Sequence, residues 1–178
     1  MLPIFNKEIK YMKRITIVFL MFTVLFTSCG KNDSGCGFQE SSIIAPQAET
    51  DAVAQYLAGA GITDAVKHPS GFYYKIQTPG TGTVAPTLCS QIGINYKGQL
   101  TNGTVFDQTT TQMAVFSLGQ LIVGWQKGIP LIKTGGKIVL YLPPSLGYGS
   151  QVVRDAQGNT LIPANSILVF NVELVAIG

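Results

Sequence analysis

The chain has 178 residues, of which only 12% are charged, and a formal net charge of +3; that is room for one domain with a real core plus a leader and a linker, while two full domains would be cramped. Much of the positive charge sits in Lys7, Lys10, Lys13 and Arg14, and no basic run interleaves with aromatic residues, which argues against nucleic acid as a partner. A single histidine, His68, and three cysteines without a CxxC spacing leave almost nothing from which to build a metal centre or a Cys–His catalytic pair, so neither metal nor cofactor is expected.

Lys13-Arg14 precedes an apolar run, Ile15 to Phe26, that is shorter than the ~20 residues a membrane span needs. The small residues Thr27-Ser28 then lead into Cys29. Residues 1–28 have the layout of a signal peptide, with Met12 a more natural start than Met1. The Thr27-Ser28-Cys29 stretch resembles the bacterial lipobox, in which the cysteine is diacylated and becomes the mature N-terminus, although Phe26 stands where leucine is usual. This resemblance implies export and a lipid anchor at Cys29, holding the protein to the bacterial envelope at the outer membrane, on its periplasmic or its surface face. The alternative is a plain secretory signal, with Cys29 pairing elsewhere. Residues 29–44 are rich in Gly, Asn, Asp and Ser and read as a flexible tether. With Cys29 lipidated, Cys36 and Cys89 remain, and an oxidising compartment favours a Cys36–Cys89 disulfide over two unpaired thiols.

Residues 45–70 read as a helical extension. Pro46 suits a first turn, Glu49 and Asp51 lie near the positive end, and Val53, Tyr56, Leu57 and Ala60 form an apolar stripe. Such a helix docks on the domain or spaces it; a dimerisation helix is the alternative to the monomer expected here. Residues 71–178 form the main domain. Phe72 to Gln77 is a strand, closed by Pro79-Gly80-Thr81-Gly82. Ile92, Ile94 and Tyr96 alternate with polar or small residues, and Thr101-Asn102-Gly103-Thr104 is a strong hairpin turn before Val105-Phe106-Asp107. Leu121, Ile122, Trp125 and Ile129 share a face at helical spacing, with Gln120, Gln126 and Lys127 facing water and Gly119 and Gly128 as punctuation. Lys137 to Leu142 and Ile167 to Val175 are further strands, separated by a long loop from Pro143 to Ser166.

Five marks stand in order: Asn95-Tyr96-Lys97-Gly98, Asn102-Gly103 with Phe106-Asp107, Phe116-Ser-Leu-Gly119 with Ile122-Val-Gly-Trp125, Leu146-Gly-Tyr-Gly149, and Leu161-Ile-Pro163 before Leu168-Val-Phe170. Their order and spacing closely resemble the FKBP-type peptidyl-prolyl cis-trans isomerases over residues 71–178. The resemblance implies an α+β fold, an antiparallel five- to six-stranded twisted sheet wrapped around one short helix. It also implies a hydrophobic pocket with Trp125 as floor and Tyr96, Phe106, Phe116, Ile122, Ile162 and Phe170 as walls or their support. Leu121, Ala114 and Leu161 are further candidates for substrate contact, Tyr148 would project its hydroxyl, and Asp107 would be the one ionisable group at the rim. The partners implied are proline-containing polypeptides and macrolide inhibitors. Two departures stand out: Ala114 lies where the family often has an aromatic, and Gln151 to Thr160 is a polar insertion in the loop.

These residue types suit the chemistry. Rotating an X-Pro bond requires no covalent step, and an apolar cavity with one or two positioned hydrogen bonds favours the twisted amide. The alternative is a membrane-tethered holdase or binding module with the same fold and weak turnover. A hydrolase is disfavoured, because His68 precedes the matching region and no Ser–His pair stands near the pocket.

Overall fold

The computed structural model describes residues 36–178; the leader, the Thr27-Ser28-Cys29 motif and the first part of the tether lie outside the described residues. Alternation along the strands determines the layers. In β9 (Leu168–Ile177) the side chains of Leu168, Phe170, Val172 and Leu174 enter the main core, while Val169 belongs to a second cluster. In β6 (Lys137–Leu142) Ile138, Leu140 and Leu142 belong to the main core, and Val139 and Tyr141 to the second cluster. A period of two thus gives one sheet two apolar faces.

The remaining strands build outward from this pair. β1 (Val66–Lys67) and β2 (Tyr73–Thr78) extend the sheet on the β6 side, and β3 (Gln91–Leu100) and β4 (Val105–Gln108) on the β9 side, in the order β1-β2-β6-β9-β3-β4. β5 (Ala114–Ser117) also pairs with β3, and every pairing is antiparallel. The sheet has seven strands rather than five or six, because two residues of the extension add β1 and because β4 and β5 are separate partners of β3. At the β3–β4 turn Gly103 takes a φ of 87°, where a side chain would be strained, and the Leu100 N–H donates to the Thr104 carbonyl. The long loop is also more regular than expected. It holds the hairpin β7 (Val153–Arg154) and β8 (Thr160–Ile162), whose tip is organised by Asp155 accepting from the backbone of Gln157 and Asn159.

One helix covers each face. α1 (Gln47–Gly59) places Val53 and Leu57 on Val139, Tyr141 and Val169, with Tyr56 tilted against Tyr141 at 6.4 Å between ring centroids. Thr50, absent from the expected stripe, is buried and donates to the Gly71 carbonyl, whereas Ala60 lies beyond the last turn and is exposed. α2 (Val123–Gly128) lies against the other face, beginning after Leu121 and Ile122 rather than including them. Gly128 is its last residue, as expected, and both glycines of the helix also pack closely on the sheet. A Cβ on Gly124 would meet Leu142 Cδ2 at 2.6 Å, and one on Gly128 would meet Leu140 Cδ2 at 2.6 Å. Gln126 and Lys127 also depart from expectation, since neither faces water freely. Gln126 Nε2 donates to the carbonyls of Gly119 and Leu121, and Lys127 Nζ to that of Ser41.

The described part of the expected tether is held against the domain. Cys36 is joined to Cys89 by a disulfide across 53 residues, a loop whose closure is worth roughly 4 kcal/mol by restricting the unfolded chain. The Ala45 N–H donates to the Ser70 carbonyl. Because α1 sits on the face away from α2, its packing and the cleft described below should respond separately to mutation. Leu57→Ala is expected to cost about 2–5 kcal/mol in urea unfolding, while the emission of folded Trp125 stays unchanged.

Candidate active site: an aromatic cleft over one tryptophan

The close seating of α2 sets the floor of a cleft. Trp125 is 4% exposed and is surrounded by rings packed edge to face: Tyr96 at 5.2 Å and Phe170 at 5.1 Å between centroids, and Phe116 at 6.5 Å. Phe106 in turn stands edge-on to Phe170 at 5.6 Å. Such pairs put the positive rim of one ring on the negative face of the next, and each is worth about 0.5–1.5 kcal/mol beyond its buried area. The rings come from β3, β4, β5, α2 and β9. Between them lies a cleft of about 170 Å³, lined also by Asp107, Leu121, Ile122 and Tyr148.

Of the residues expected there, nine line the cleft and three do not. Ile162 is buried in the main core, Leu161 is half-buried against that core, and Ala114, on β5, pairs with Ile94 of β3 and also packs against the core. These three act at one remove, through packing. Conversely, no motif or spacing marks Thr109. Its Oγ1 accepts from the Tyr96 N–H at 2.9 Å and donates to the Tyr96 carbonyl at 3.3 Å, fixing the strand behind the ring. A threonine just past a strand end carries no pattern that would mark it. Gly98 was marked by its motif but not explained by it. A methyl group there would meet Phe106 Cε2 at 2.6 Å and Phe170 Cε1 at 2.7 Å, so the edge-to-face pair exists only because the residue between them has no side chain.

The polar groups are few: one carboxyl, Asp107, two tyrosine hydroxyls and the indole N–H of Trp125. The Tyr96 hydroxyl donates to Asp107 Oδ2 at 2.6 Å. Burial first, then the bond to Asp107, holds the Tyr96 phenol far above its usual range. Burial, and then the charge of Asp107, raises that of Tyr148. Both hydroxyls therefore keep their protons at neutral pH. Tyr148 is 37% exposed at the rim, on a turn where the Pro144 carbonyl accepts from the N–H groups of Gly147 and Gly149. Gly149 has a φ of 60° and its carbonyl accepts from Asn165, which locks the turn. The floor carries one orphan, since Trp125 Nε1 is buried and finds no acceptor among the described residues. No cluster of His, Cys, Asp or Glu suited to a metal ion occurs among the described residues. The arrangement can enclose an apolar group and offer neutral donors at its edge.

Gly98→Ala should be felt here first. It should cost about 1–3 kcal/mol through overpacking and shift the near-ultraviolet circular dichroism of the Trp125 cluster, with the sheet signal retained.

The family model described as FKBP-type peptidyl-prolyl cis-trans isomerase matches residues 82–175, which hold every residue of the cleft. Over 113 residues the chain is 43% identical to the FKBP-type peptidyl-prolyl cis-trans isomerase FkpA of Buchnera aphidicola, covering 62% of this chain and 42% of that one. It is 39% identical to the peptidyl-prolyl cis-trans isomerase Mip of Coxiella burnetii, covering 61% of this chain and 45% of that one. The chain thus spans less than half the length of these two relatives. Among solved structures, a peptidyl-prolyl cis-trans isomerase from Pseudomonas syringae superposes with a TM-score of 0.61 at 32% identity, covering 75% of this chain and 97% of that one. FkpA from Escherichia coli gives a TM-score of 0.62 at 34% identity, covering 74% and 60%. With a cleft built wholly from residues inside the matched segment, this chain belongs to the FKBP-type peptidyl-prolyl cis-trans isomerase family.

Proposed function

We propose that the protein isomerises X-Pro bonds of polypeptides in the cleft over Trp125, assisting the folding of exported proteins. The observation that carries this reading is a cleft whose floor and walls are edge-to-face aromatic rings and whose one carboxyl group, Asp107, is tied to Tyr96. The barrier to rotation, about 18–20 kcal/mol, comes from amide resonance. Twisting the bond removes the charge separation that resonance supports, so an apolar enclosure favours the twisted amide over the planar one. Only such differential binding raises the rate. The proline ring lies against Trp125, and the Tyr148 hydroxyl donates to a substrate carbonyl at the rim. Asp107 acts by fixing the Tyr96 ring, and no proton changes hands.

Mutation separates these parts. Tyr148→Phe keeps the ring and deletes a hydrogen bond of about 1–3 kcal/mol, so turnover in a protease-free X-Pro assay should fall by roughly tenfold to a hundredfold. Asp107→Asn should be milder, because the amide keeps an oxygen to accept from Tyr96. Loss of all activity in folded Asp107→Asn protein would contradict the mechanism, and inactivity of the wild type would leave a binding module in its place. The rate should be flat between about pH 6 and 9, since both tyrosines stay protonated there. Stability has the matching sign. Raised folded values mean that the folded state keeps protons the unfolded state loses near its ordinary tyrosine value, so stability is full below about pH 10 and declines above it.

The location proposed is the bacterial cell envelope, with Cys29 as the lipid attachment site after export. What supports this is the apolar run ending in Thr27-Ser28-Cys29. No helix among the described residues is long and apolar enough to cross a membrane. Metabolic labelling with a fatty-acid analogue should mark the wild type and spare Cys29→Ser; equal labelling of both would remove the anchor from the account.

A further inference from the structure

Phe38 lies outside the segment that matches the family, and it is 36% exposed, yet its ring rests on the turn that builds one wall of the cleft. It covers the α-carbon of Gly119, where a methyl group would meet Phe38 Cδ1 at 2.7 Å. Gly119 opens the path to Leu121 and Ile122, both of which line the cleft. The same turn is also fastened through its backbone. The Gly119 N–H donates to the Leu88 carbonyl at 2.9 Å and the Leu118 N–H to the Ser90 carbonyl at 3.1 Å. Between those two acceptors stands Cys89, whose disulfide partner Cys36 lies two residues before Phe38. On the helix side, Gln126 Nε2 ties the carbonyls of Gly119 and Leu121 together, at 3.1 and 2.7 Å. Lys127, with its side chain 9% exposed, reaches the Ser41 carbonyl at 2.6 Å. Residues 36–41 therefore touch the turn through Phe38 and α2 through Ser41, while the carbonyls of Leu88 and Ser90 accept from the backbone of the turn.

We infer that Phe38 is a positioning residue for the isomerase site, with the Cys36–Cys89 disulfide keeping its ring on Gly119 so that Leu121 and Ile122 present a fixed wall to substrate. The inference rests on the function proposed above. Its physical basis is that a wall carried on a turn holds its position only when the turn itself is braced. A glycine with no side chain cannot brace itself, and the Phe38 ring supplies the missing contact. The wall touches substrate in planar and twisted forms alike, so loosening it weakens binding more than turnover.

The test uses the full-length oxidised protein and compares wild type with Phe38→Ala, Phe38→Leu and the double variant Cys36→Ser/Cys89→Ser. Phe38→Ala is expected to speed hydrogen exchange at the Leu118, Gly119 and Leu121 amides, and to raise KM about threefold to tenfold with kcat nearly unchanged. Phe38→Leu should restore most of both, and the double variant should resemble Phe38→Ala in exchange at the turn. Unchanged exchange at those three amides in Phe38→Ala would overturn the inference. So would a rise in exchange spread evenly over the sheet, which reports stability and not position. Were the wild type inactive on every X-Pro peptide, the proposed function would fail, while the exchange data would still decide whether Phe38 braces the turn.

Discussion

Gly124 and Gly128 let α2 approach β6 so closely that Leu142 and Leu140 fill the space where two side chains would otherwise stand. The other features of the cleft depend on that approach. With the helix pressed onto the sheet, Trp125 is driven among Tyr96, Phe116 and Phe170, and their edge-to-face packing leaves a hollow above the indole. Glycine in a helix costs about 1 kcal/mol relative to alanine, and here that cost is offset by the burial of the helix on a sheet face made of Leu, Ile and Phe. Gly98 plays the same part on the opposite wall, where the absence of a side chain allows Phe106 and Phe170 to meet.

What results is a cleft whose chemistry is almost entirely shape and polarity. Its hydroxyls are held neutral by burial and by the neighbouring carboxylate, and that carboxylate is occupied by Tyr96. A site of this kind suits a reaction in which no bond is made or broken. The second helix, α1, takes no part in the cleft. It covers the reverse face of the same sheet, and the strand β1 that follows it ties the extension into the sheet by backbone pairing.

Much of this was legible in the sequence, and the exceptions have physical reasons. The alternation in residues 168–174 placed Leu168, Phe170, Val172 and Leu174 on one face, because burial on a sheet enforces a period of two. The ordered motifs hold eight residues of the cleft, and Leu121, outside them, is the ninth expected there. Gln126 and Lys127 were misjudged because helical periodicity assumes solvent on the far side, and here residues 36–41 and the preceding turn occupy it. Leu161 and Ile162 belong to one of the ordered motifs and Ala114 lies two residues before Phe116, but their side chains serve the core beneath the cleft. Thr109 was invisible, since a hydroxyl that bonds to a strand across a chain reversal leaves no spacing to detect. The hairpin β7–β8 was hidden by its polar tip, whose order comes from Asp155 and Asn159 and not from apolar alternation.

The reaction proposed for the cleft is rotation about the X-Pro bond, favoured by apolar aromatic enclosure and without proton transfer. Its most direct test is cis–trans exchange of a short X-Pro peptide, followed by NMR with catalytic amounts of the protein in H2O and in D2O. The account predicts clear acceleration with a solvent isotope ratio near unity. No acceleration, or acceleration that slows by about twofold or more in D2O as expected when a proton moves in the transition state, would contradict it.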